Sequence, residues 1–168
     1  MSLRILFVST GLGIGGAERT LQRLVIELTR RGHQLCVCSL GGDDVIGEEL
    51  AQQSIEVRTI GFRKHPSDLL KLGDLRRIVK SHQPDIVQTW MYHADLAGGV
   101  MTRWFSGAPV VWGVRQSNLD SHRSKRFTRW VVAVNAWLSR WIPARVIYCA
   151  IAAARVHRQI GYVPRSEQ

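Results

Sequence analysis

Apolar residues along the chain fall into six short runs at regular intervals. The runs cover residues 3–9, 34–40, 55–60, 85–90, 109–114 and 145–150. Several of them are nearly continuous in Val, Ile, Leu and aromatic residues, which is typical of parallel strands that are covered on both faces. The pattern therefore predicts six largely buried β-strands.

The segments between these runs carry apolar residues at helical spacing. In residues 16–31, Ala17, Leu21 and Leu28 share one helix face, and Gly32 follows as a stop signal. Further helices are predicted over residues 67–82, 93–105, about 125–141 and 150–160. Such alternation predicts an α/β fold, with a doubly wound, mostly parallel sheet and helices on both faces. The 168 residues fit one domain, 1–168, whose ligand lies at the carboxyl ends of the strands.

Composition and net charge indicate where the protein is located and what kind of partner it binds. No apolar run reaches the roughly 18 residues that cross a bilayer, and the N-terminal pattern is not that of a signal peptide. Cys36, Cys38 and Cys149 all lie in apolar runs, so we expect buried, reduced thiols and a cytoplasmic protein. The net charge is +10, with 12 basic and 9 acidic residues in 1–84 but 11 and 4 in 85–168. The second half therefore suits an anionic partner such as a phosphate-bearing ligand, lipid or nucleic acid.

A glycine-rich loop, STGLGIGGAERT at residues 9–20, separates the first strand from the first helix. Gly11, Gly13 and Gly16 spell G-x-G-x-x-G, the fingerprint of an NAD(P)-binding domain. That site also needs an acidic residue at the end of the second strand, where this chain has SLGG instead. The NAD(P) interpretation remains as an alternative. The loop more generally exposes backbone N–H groups at a helix start, which suits a phosphate.

Polar residues also follow the fourth and fifth strands. His93 opens a helix after residues 85–90, where it can bond a sugar hydroxyl or a phosphate, or only solvate the helix start. Arg115 and Asn118 follow residues 109–114 at the same sheet edge. Arg115 can clamp an anionic group with two hydrogen bonds, although an exposed surface arginine fits the sequence equally well.

Residues 122–143 are the most basic and tryptophan-rich segment. Its apolar positions make one broad helical face: Trp130, Val134, Trp137, Leu138 and Trp141. The face can belong to an interfacial helix that lies on anionic lipid, or to a core-facing helix with a basic outer side. The pattern slightly favours the core-facing helix. A nucleic-acid-binding module is a third possibility, but the chain shows no nucleic-acid-binding motif.

Three segments, in order, resemble one known family. The segment GLGIGGAERTLQRLVIELTRRGHQLCVCSL resembles the start of the GT-B glycosyltransferases of family 4, where a G-G-x-E segment opens the first helix. PDIVQTWMYHADLAGG and VIYCAIAAARVHRQIGYVP resemble two later segments of the same family, so the resemblance covers essentially the whole chain. Gln88 and Trp90 depart from it, because many members carry His at these positions.

The resemblance implies a retaining, metal-free transfer from a nucleotide-sugar donor, in a cleft between two Rossmann-like domains. It implies that Gly15 and Gly16 approach the donor diphosphate and that His93 faces the sugar near the reacting centre. Arg115 and Asn118 are then assigned to the acceptor. The chain is expected to be the N-terminal, acceptor-side domain without its C-terminal donor domain, and to be inactive alone.

The expected partners follow from the same resemblance. The acceptor is a glycan or a lipid-linked glycan, in the synthesis of cell-surface polysaccharide or lipid-linked glycan. No metal, other cofactor or nucleic acid is expected. An anionic membrane surface and a homodimer through the exposed cleft are further expectations, with the protein cytoplasmic and peripheral on the inner face of the membrane.

Overall fold

The computed structural model describes residues 1–42, 44–62, 68, 70–116 and 126–166. Strands and helices alternate through these residues. The strands are β1 (Arg4–Ser9), β2 (Gln34–Ser39), β3 (Glu56–Thr59), β4 (Ile86–Trp90), β5 (Val110–Val114) and β6 (Arg145–Tyr148). The helices are α1 (Gly16–Arg30), α2 (Val45–Ala51), α3 (Leu72–His82), α4 (Tyr92–Phe105), α5 (Arg126–Leu138) and α6 (Ile151–Gln159).

All six strands run parallel in one sheet, in the order β3-β2-β1-β4-β5-β6. The chain builds outward from β1 in one direction and then from β4 in the other. This reversal creates a topological switch point between β1 and β4, with a crevice at their carboxyl ends. The predicted doubly wound α/β fold is confirmed.

Side chains of β1 alternate between two cores, as the strand period of two requires. Ile5 and Phe7 pack with Leu21 and Val25 of α1. Leu6, on the other face, packs in a cluster with residues of α3 and α4. A third cluster surrounds β5, β6, α5 and α6. The sheet therefore carries α1 on one side and α3, α4 and α5 on the other.

Two adjacent glycines let α4 lie close to the sheet. A Cβ on Gly98 would approach Val8 and Thr89 side-chain carbons to 3.1 and 3.0 Å. A Cβ on Gly99 would come within 2.9 Å of Trp112 Nε1. Contacts this short are too tight for an added carbon, so the helix position depends on both glycines.

Element boundaries differ from the prediction in two places. Helix α2 is missing from the predicted elements, because only seven residues form it and its apolar period is too short to recognise. Helix α3 begins at Leu72 rather than at residue 67. Residues 63–67, at the predicted start, lie outside the described part of the chain.

The cysteine prediction is right for two residues and wrong for the third. Cys36 and Cys38 are buried, and burial raises the pKa of each thiol to about 12, so both stay protonated. Cys149 is exposed, because β6 ends at Tyr148 and the chain leaves the sheet there.

The tryptophan-rich helix packs on the core, but not through its tryptophans. Helix α5 buries Val131, Val132, Asn135 and Ala136. Trp130, Trp137 and Trp141 lie on the outside, with 57, 63 and 46 % of their surface exposed. The interpretation of their face as core-facing is wrong, since valine and alanine fill that space instead.

Candidate functional site

Three loops meet at the carboxyl ends of the strands beside the switch point. Backbone hydrogen bonds join them: Thr10 N–H donates to the Trp90 carbonyl at 3.3 Å, and Met91 N–H donates to the Gly113 carbonyl at 3.1 Å. The residues that follow β1 and β4 are thereby held beside the end of β5, where Arg115 begins the next loop. We call this edge of the sheet, with its three loops, the rim.

The glycine loop ends where the sequence predicts, at the start of α1. Gly15 is the N-cap, in an extended conformation, and its carbonyl accepts the first helical bond from Arg19 N–H at 2.9 Å. Gly16 is exposed, and a Cβ there would meet no atom within 4 Å. The Glu18 carboxylate folds back against Gly15, so this negative charge lies at the positive end of the helix. An incoming phosphate therefore requires the Glu18 side chain to turn away.

Trp90 links the start of α1 to the loop after β5. Its side chain is fully buried, and its indole Nε1–H donates to the Ala17 carbonyl at 3.0 Å. The Arg115 guanidinium lies on the indole ring, with Cζ 3.8 Å from the ring centroid, in a cation–π contact. The sequence marks Trp90 only as a departure from the family pattern. Its position as the last residue of the strand at the switch point is the signal that points to this role.

Arg115 is half-buried on the rim. Burial lowers the pKa of its guanidinium, while the charges of Cys149 and Asp95 oppose that change. Its Nε is buried and has no hydrogen-bond partner among the described residues. A guanidinium held flat on an indole and half-exposed at this edge of the sheet is placed where it can meet an anionic group.

Asp95 is a buried carboxyl directly beneath the rim. Its Oδ1 accepts from the Thr89 hydroxyl at 2.5 Å, and its Oδ2 has no hydrogen-bond partner in the part of the chain that the structure describes. Burial raises the pKa of Asp95 to about 7, against the opposing effects of the Thr89 bond and the Arg115 charge. The sequence places Asp95 in the first turn of α4 but gives no sign that it is buried.

His93 lies on the rim as the second residue of α4. Its ring is half-buried and stacks on Phe127 of α5, with ring centroids 5.7 Å apart. Met91, two residues earlier, has φ 75° and ψ 159°, a conformation that non-glycine residues rarely adopt and that costs about 1–3 kcal/mol. Strain of this kind is often found next to ligand sites. Asn118, the other residue predicted for the rim, lies outside the described residues.

Among the described residues, the end of β2 offers no free carboxylate for the ribose of NAD. Asp44 lies near this end, but its carboxylate accepts hydrogen bonds from the hydroxyls of Ser39, at 2.6 Å, and Thr59. It fastens β2 and β3 to the start of α2. A carboxylate engaged in this way is not available to hold the hydroxyls of a ribose.

One group of possible metal ligands lies at the opposite edge of the sheet. Atoms of Cys36, Glu56 and His82 come within 4.8 Å of one another. The Cys36 thiol stays protonated, and Glu56 is paired with Arg58 at 2.9 Å. Arginines line the same pocket: Arg4, Arg58 and Arg77. So much positive charge disfavours a divalent cation at this place.

A family model for glycosyltransferase family 4 matches residues 14–167, which is nearly the whole chain. The chain belongs to glycosyltransferase family 4. No curated protein sequence matches the chain significantly. The match includes the start of α1, His93 and Arg115, so the family 4 pattern extends over the rim.

Solved structures support the same fold for this family 4 chain. HepE from Anabaena in complex with UDP superposes with a TM-score of 0.79 at 18 % identity, over 99 % of this chain and 43 % of HepE. MurG from Acinetobacter baumannii gives 0.63 at 19 % identity, over 98 % of this chain and 43 % of MurG. The chain thus spans less than half the length of either protein.

The fold alone does not distinguish transfer from other chemistry. A UDP-N-acetylglucosamine 2-epimerase from Rickettsia bellii superposes with a TM-score of 0.67 at 11 % identity, over 99 % of this chain and 44 % of the epimerase. The family match, rather than the superposition, places the chain in glycosyltransferase family 4. None of the helices in the described part of this family 4 chain has the length and apolar content that crossing a membrane requires.

Proposed function

We propose that the chain is the acceptor-side domain of a retaining, metal-free glycosyltransferase that uses a nucleotide-sugar donor. The observation that carries the proposal is the family 4 match, which runs across a rim built at the switch point of the sheet. The rim brings together a glycine loop, a histidine and a half-buried arginine from three different strands. These are the groups that a diphosphate, a sugar and an anionic acceptor require.

The glycine loop is proposed to receive the donor diphosphate at Gly15 and Gly16. Gly16 leaves open space beside the first N–H groups of α1, where a phosphate gains from the helix dipole. Glu18 then acts as a displaceable occupant of the same helix end. HepE has been solved in complex with UDP and with UDP-glucose, which supports a uridine diphosphate sugar as the donor to test first.

His93, Arg115 and Asn118 are proposed to serve the sugar and the acceptor. His93 can hydrogen-bond a hydroxyl of the transferred sugar near the reacting centre. Arg115, supported by Trp90, can hold an anionic group such as the phosphate of a lipid-linked acceptor. The role of Asn118 is proposed from the sequence alone, as its structure is not described.

Transfer by this domain is proposed to need a second, donor-binding domain. The chain corresponds to 43 % of the length of HepE, and the donor site in the proposed cleft requires two facing lobes. We therefore expect the chain alone to transfer no sugar from a UDP- or GDP-sugar. The product is proposed to be cell-surface polysaccharide or lipid-linked glycan, made at the inner face of the membrane.

The test uses the longest natural protein that contains this chain. Incubated with UDP-glucose and extracted lipid-linked glycan, it is expected to transfer labelled glucose. His93→Ala should lower kcat by about 100-fold, since a group at the reacting centre is lost. His33→Ala is the matched control, because His33 lies in the turn before β2 and accepts a bond from Leu3 N–H far from the rim. Saturable NADH binding, with no transfer from any nucleotide sugar, contradicts the proposal.

A further inference from the structure

The outer face of α5 and the turn that follows it expose four large aromatic side chains. Phe127, Trp130, Trp137 and Trp141 have 61, 57, 63 and 46 % of their surface exposed. We call these four residues the α5 aromatic face. Large apolar patches are uncommon on monomeric soluble domains and mark surfaces that bind a partner.

The rings are ordered against one another. Phe127 stacks on Trp130 with centroids 5.9 Å apart, and Trp137 meets Trp141 edge-to-face at 4.9 Å. The spacing of Trp130 and Trp137 places both on the side of the helix that faces away from the buried Val132 and Ala136. The face is therefore held by a packed helix rather than by a loose loop.

Arginines flank this face along the chain. Arg126, Arg129 and Arg140 are exposed on or just after α5. The sequence contains no Asp or Glu between residues 121 and 166. The face is thus apolar at its centre, and the charged side chains described on α5 itself are all cationic. Such a surface is complementary to an anionic layer with an apolar interior.

The α5 aromatic face also begins at the candidate site. Phe127, its first member, stacks on His93 of the rim at 5.7 Å. A layer that binds the face is thereby brought next to His93, at the carboxyl end of β4. This position suits an acceptor that is anchored in the same layer.

We propose that the α5 aromatic face docks on the surface of an anionic lipid bilayer and presents the rim to a lipid-anchored acceptor. The inference about the acceptor rests on the proposed function, whereas the docking itself does not. Tryptophan rings favour the boundary between headgroups and acyl chains, where one edge stays wet. Arginines next to them bind lipid phosphates while their stems lie along the apolar layer.

Vesicle sedimentation tests the docking. The chain is expected to pellet with vesicles of equal parts phosphatidylcholine and phosphatidylglycerol at low salt, and to bind much less to phosphatidylcholine alone. Trp137→Ala with Trp141→Ala should weaken the partition coefficient by at least about tenfold. Arg129→Gln with Arg140→Gln should weaken it roughly 25-fold, as each lost charge contributes about fivefold.

The matched control removes two charges from the opposite side of the sheet. Arg23→Gln with Arg30→Gln changes the net charge equally, but both residues are exposed on α1. This variant should bind anionic vesicles nearly as well as the parent chain. Far-UV circular dichroism and urea unfolding verify that each variant is folded, since all the substituted side chains are exposed.

Three results overturn the inference. One is no binding to anionic vesicles at low salt; another is binding that both α5 variants leave unchanged. The third is evidence that another partner occupies the face. The parent chain then does not bind vesicles, but it forms a dimer or an oligonucleotide complex that the α5 variants abolish. None of these assays contains a nucleotide sugar, so loss of docking and failure of the proposed transfer are separate outcomes.

Discussion

At the scale of single residues, the rim is organised by an indole ring. Trp90 satisfies the Ala17 carbonyl through its Nε1–H and supports the Arg115 guanidinium on its face. It does both while fully buried, so no water can replace either contact. The start of α1 and the anion-binding candidate therefore depend on one side chain that touches no solvent.

Replacing this ring tests its role. Trp90→Phe removes the N–H donor, and with it the second hydrogen bond to the Ala17 carbonyl, and it leaves a small cavity where part of the ring was. We expect a loss of about 2 kcal/mol in the free energy of unfolding, measured by urea denaturation. Trp104→Phe is the control, since Trp104 is 71 % exposed and should change the stability by less than about 0.5 kcal/mol. Equal losses in the two variants contradict the role of Trp90.

A second prediction concerns the buried carboxyl. Burial raises the pKa of Asp95 from about 3.9 in an unfolded chain to about 7. Between these values the folded state holds a proton that the unfolded state releases. Asp95 therefore makes the protein less stable as pH rises from about 4 to about 7, by an amount on the order of 4 kcal/mol.

Asp95→Asn removes this titration and keeps the shape of the side chain. We expect thermal unfolding of the variant to lose the downward slope with rising pH. A slope of opposite sign should remain, because burial lowers the pKa of His157. The stability that the neutral, buried His157 contributes is present above the ordinary pKa of histidine and is lost as pH falls. Parent and variant curves of the same slope count against a buried, protonated Asp95.

These residues also show where sequence reasoning ends. The positions of Gly15, Gly16, His93 and Arg115 at the sheet edge follow from strand and helix patterns, because strand ends converge in a parallel sheet. Contacts between side chains do not follow from such patterns. The stacking of Arg115 on Trp90, the burial of Asp95 and the closeness of Glu18 to Gly15 depend on rotamers and on neighbours distant in sequence.

At the scale of elements, α4 is the helix that sets the geometry of the rim. It begins at the strained Met91 backbone, carries His93 and Asp95 in its first turn, and lies close to the sheet through Gly98 and Gly99. Added volume between α4 and the sheet pushes the helix outward. The first turn, and with it His93, then moves relative to the other two loops.

Two helical glycines make a matched test of this packing. Gly99→Ala places a methyl group 2.9 Å from Trp112 Nε1 and should destabilise the fold by about 1–3 kcal/mol. Gly73→Ala in α3 meets nothing within 4 Å and should stabilise it by about 0.5–1 kcal/mol, since alanine favours the helix. Urea unfolding of both variants gives the comparison. A stabilising Gly99→Ala is incompatible with the close approach of α4.

The sequence predicts the strands and helices better than it predicts the contacts between side chains. All six strands and five of the six helices in the described part of the chain match predicted segments, since buried parallel strands give strong apolar runs. The predicted orientation of α5 is wrong for a physical reason. Tryptophans at helical spacing look the same on a core face and on an exposed face, and only the neighbouring Val131 and Val132 reveal which face is buried.

At the scale of the whole molecule, two of the places that carry exposed apolar side chains bear on binding. The α5 aromatic face is one, and the rim is the other, where Ile14 in the glycine loop is 76 % exposed. In the proposed two-domain enzyme, the rim faces the cleft. The chain alone leaves this surface open to a second copy.

We expect the isolated chain to form a dimer through the rim in sedimentation equilibrium. Ile14→Ser should weaken the dimer, because it removes an exposed apolar side chain from the contact. Trp137→Ala should leave the dimer unchanged, as Trp137 lies on the α5 aromatic face. A monomer at all concentrations contradicts the prediction, and the reverse response of the two variants assigns self-association to α5.

The glycine pair in α4 has one further consequence. The position of α4 depends on the absence of a side chain at Gly98 and Gly99, so a single added methyl group suffices to change it. Most substitutions that enlarge a core cost stability and leave the chemistry alone. In the proposed two-domain enzyme, a substitution at either glycine is expected to displace His93 as well as to lower stability, so the turnover number of the protein that remains folded should also fall.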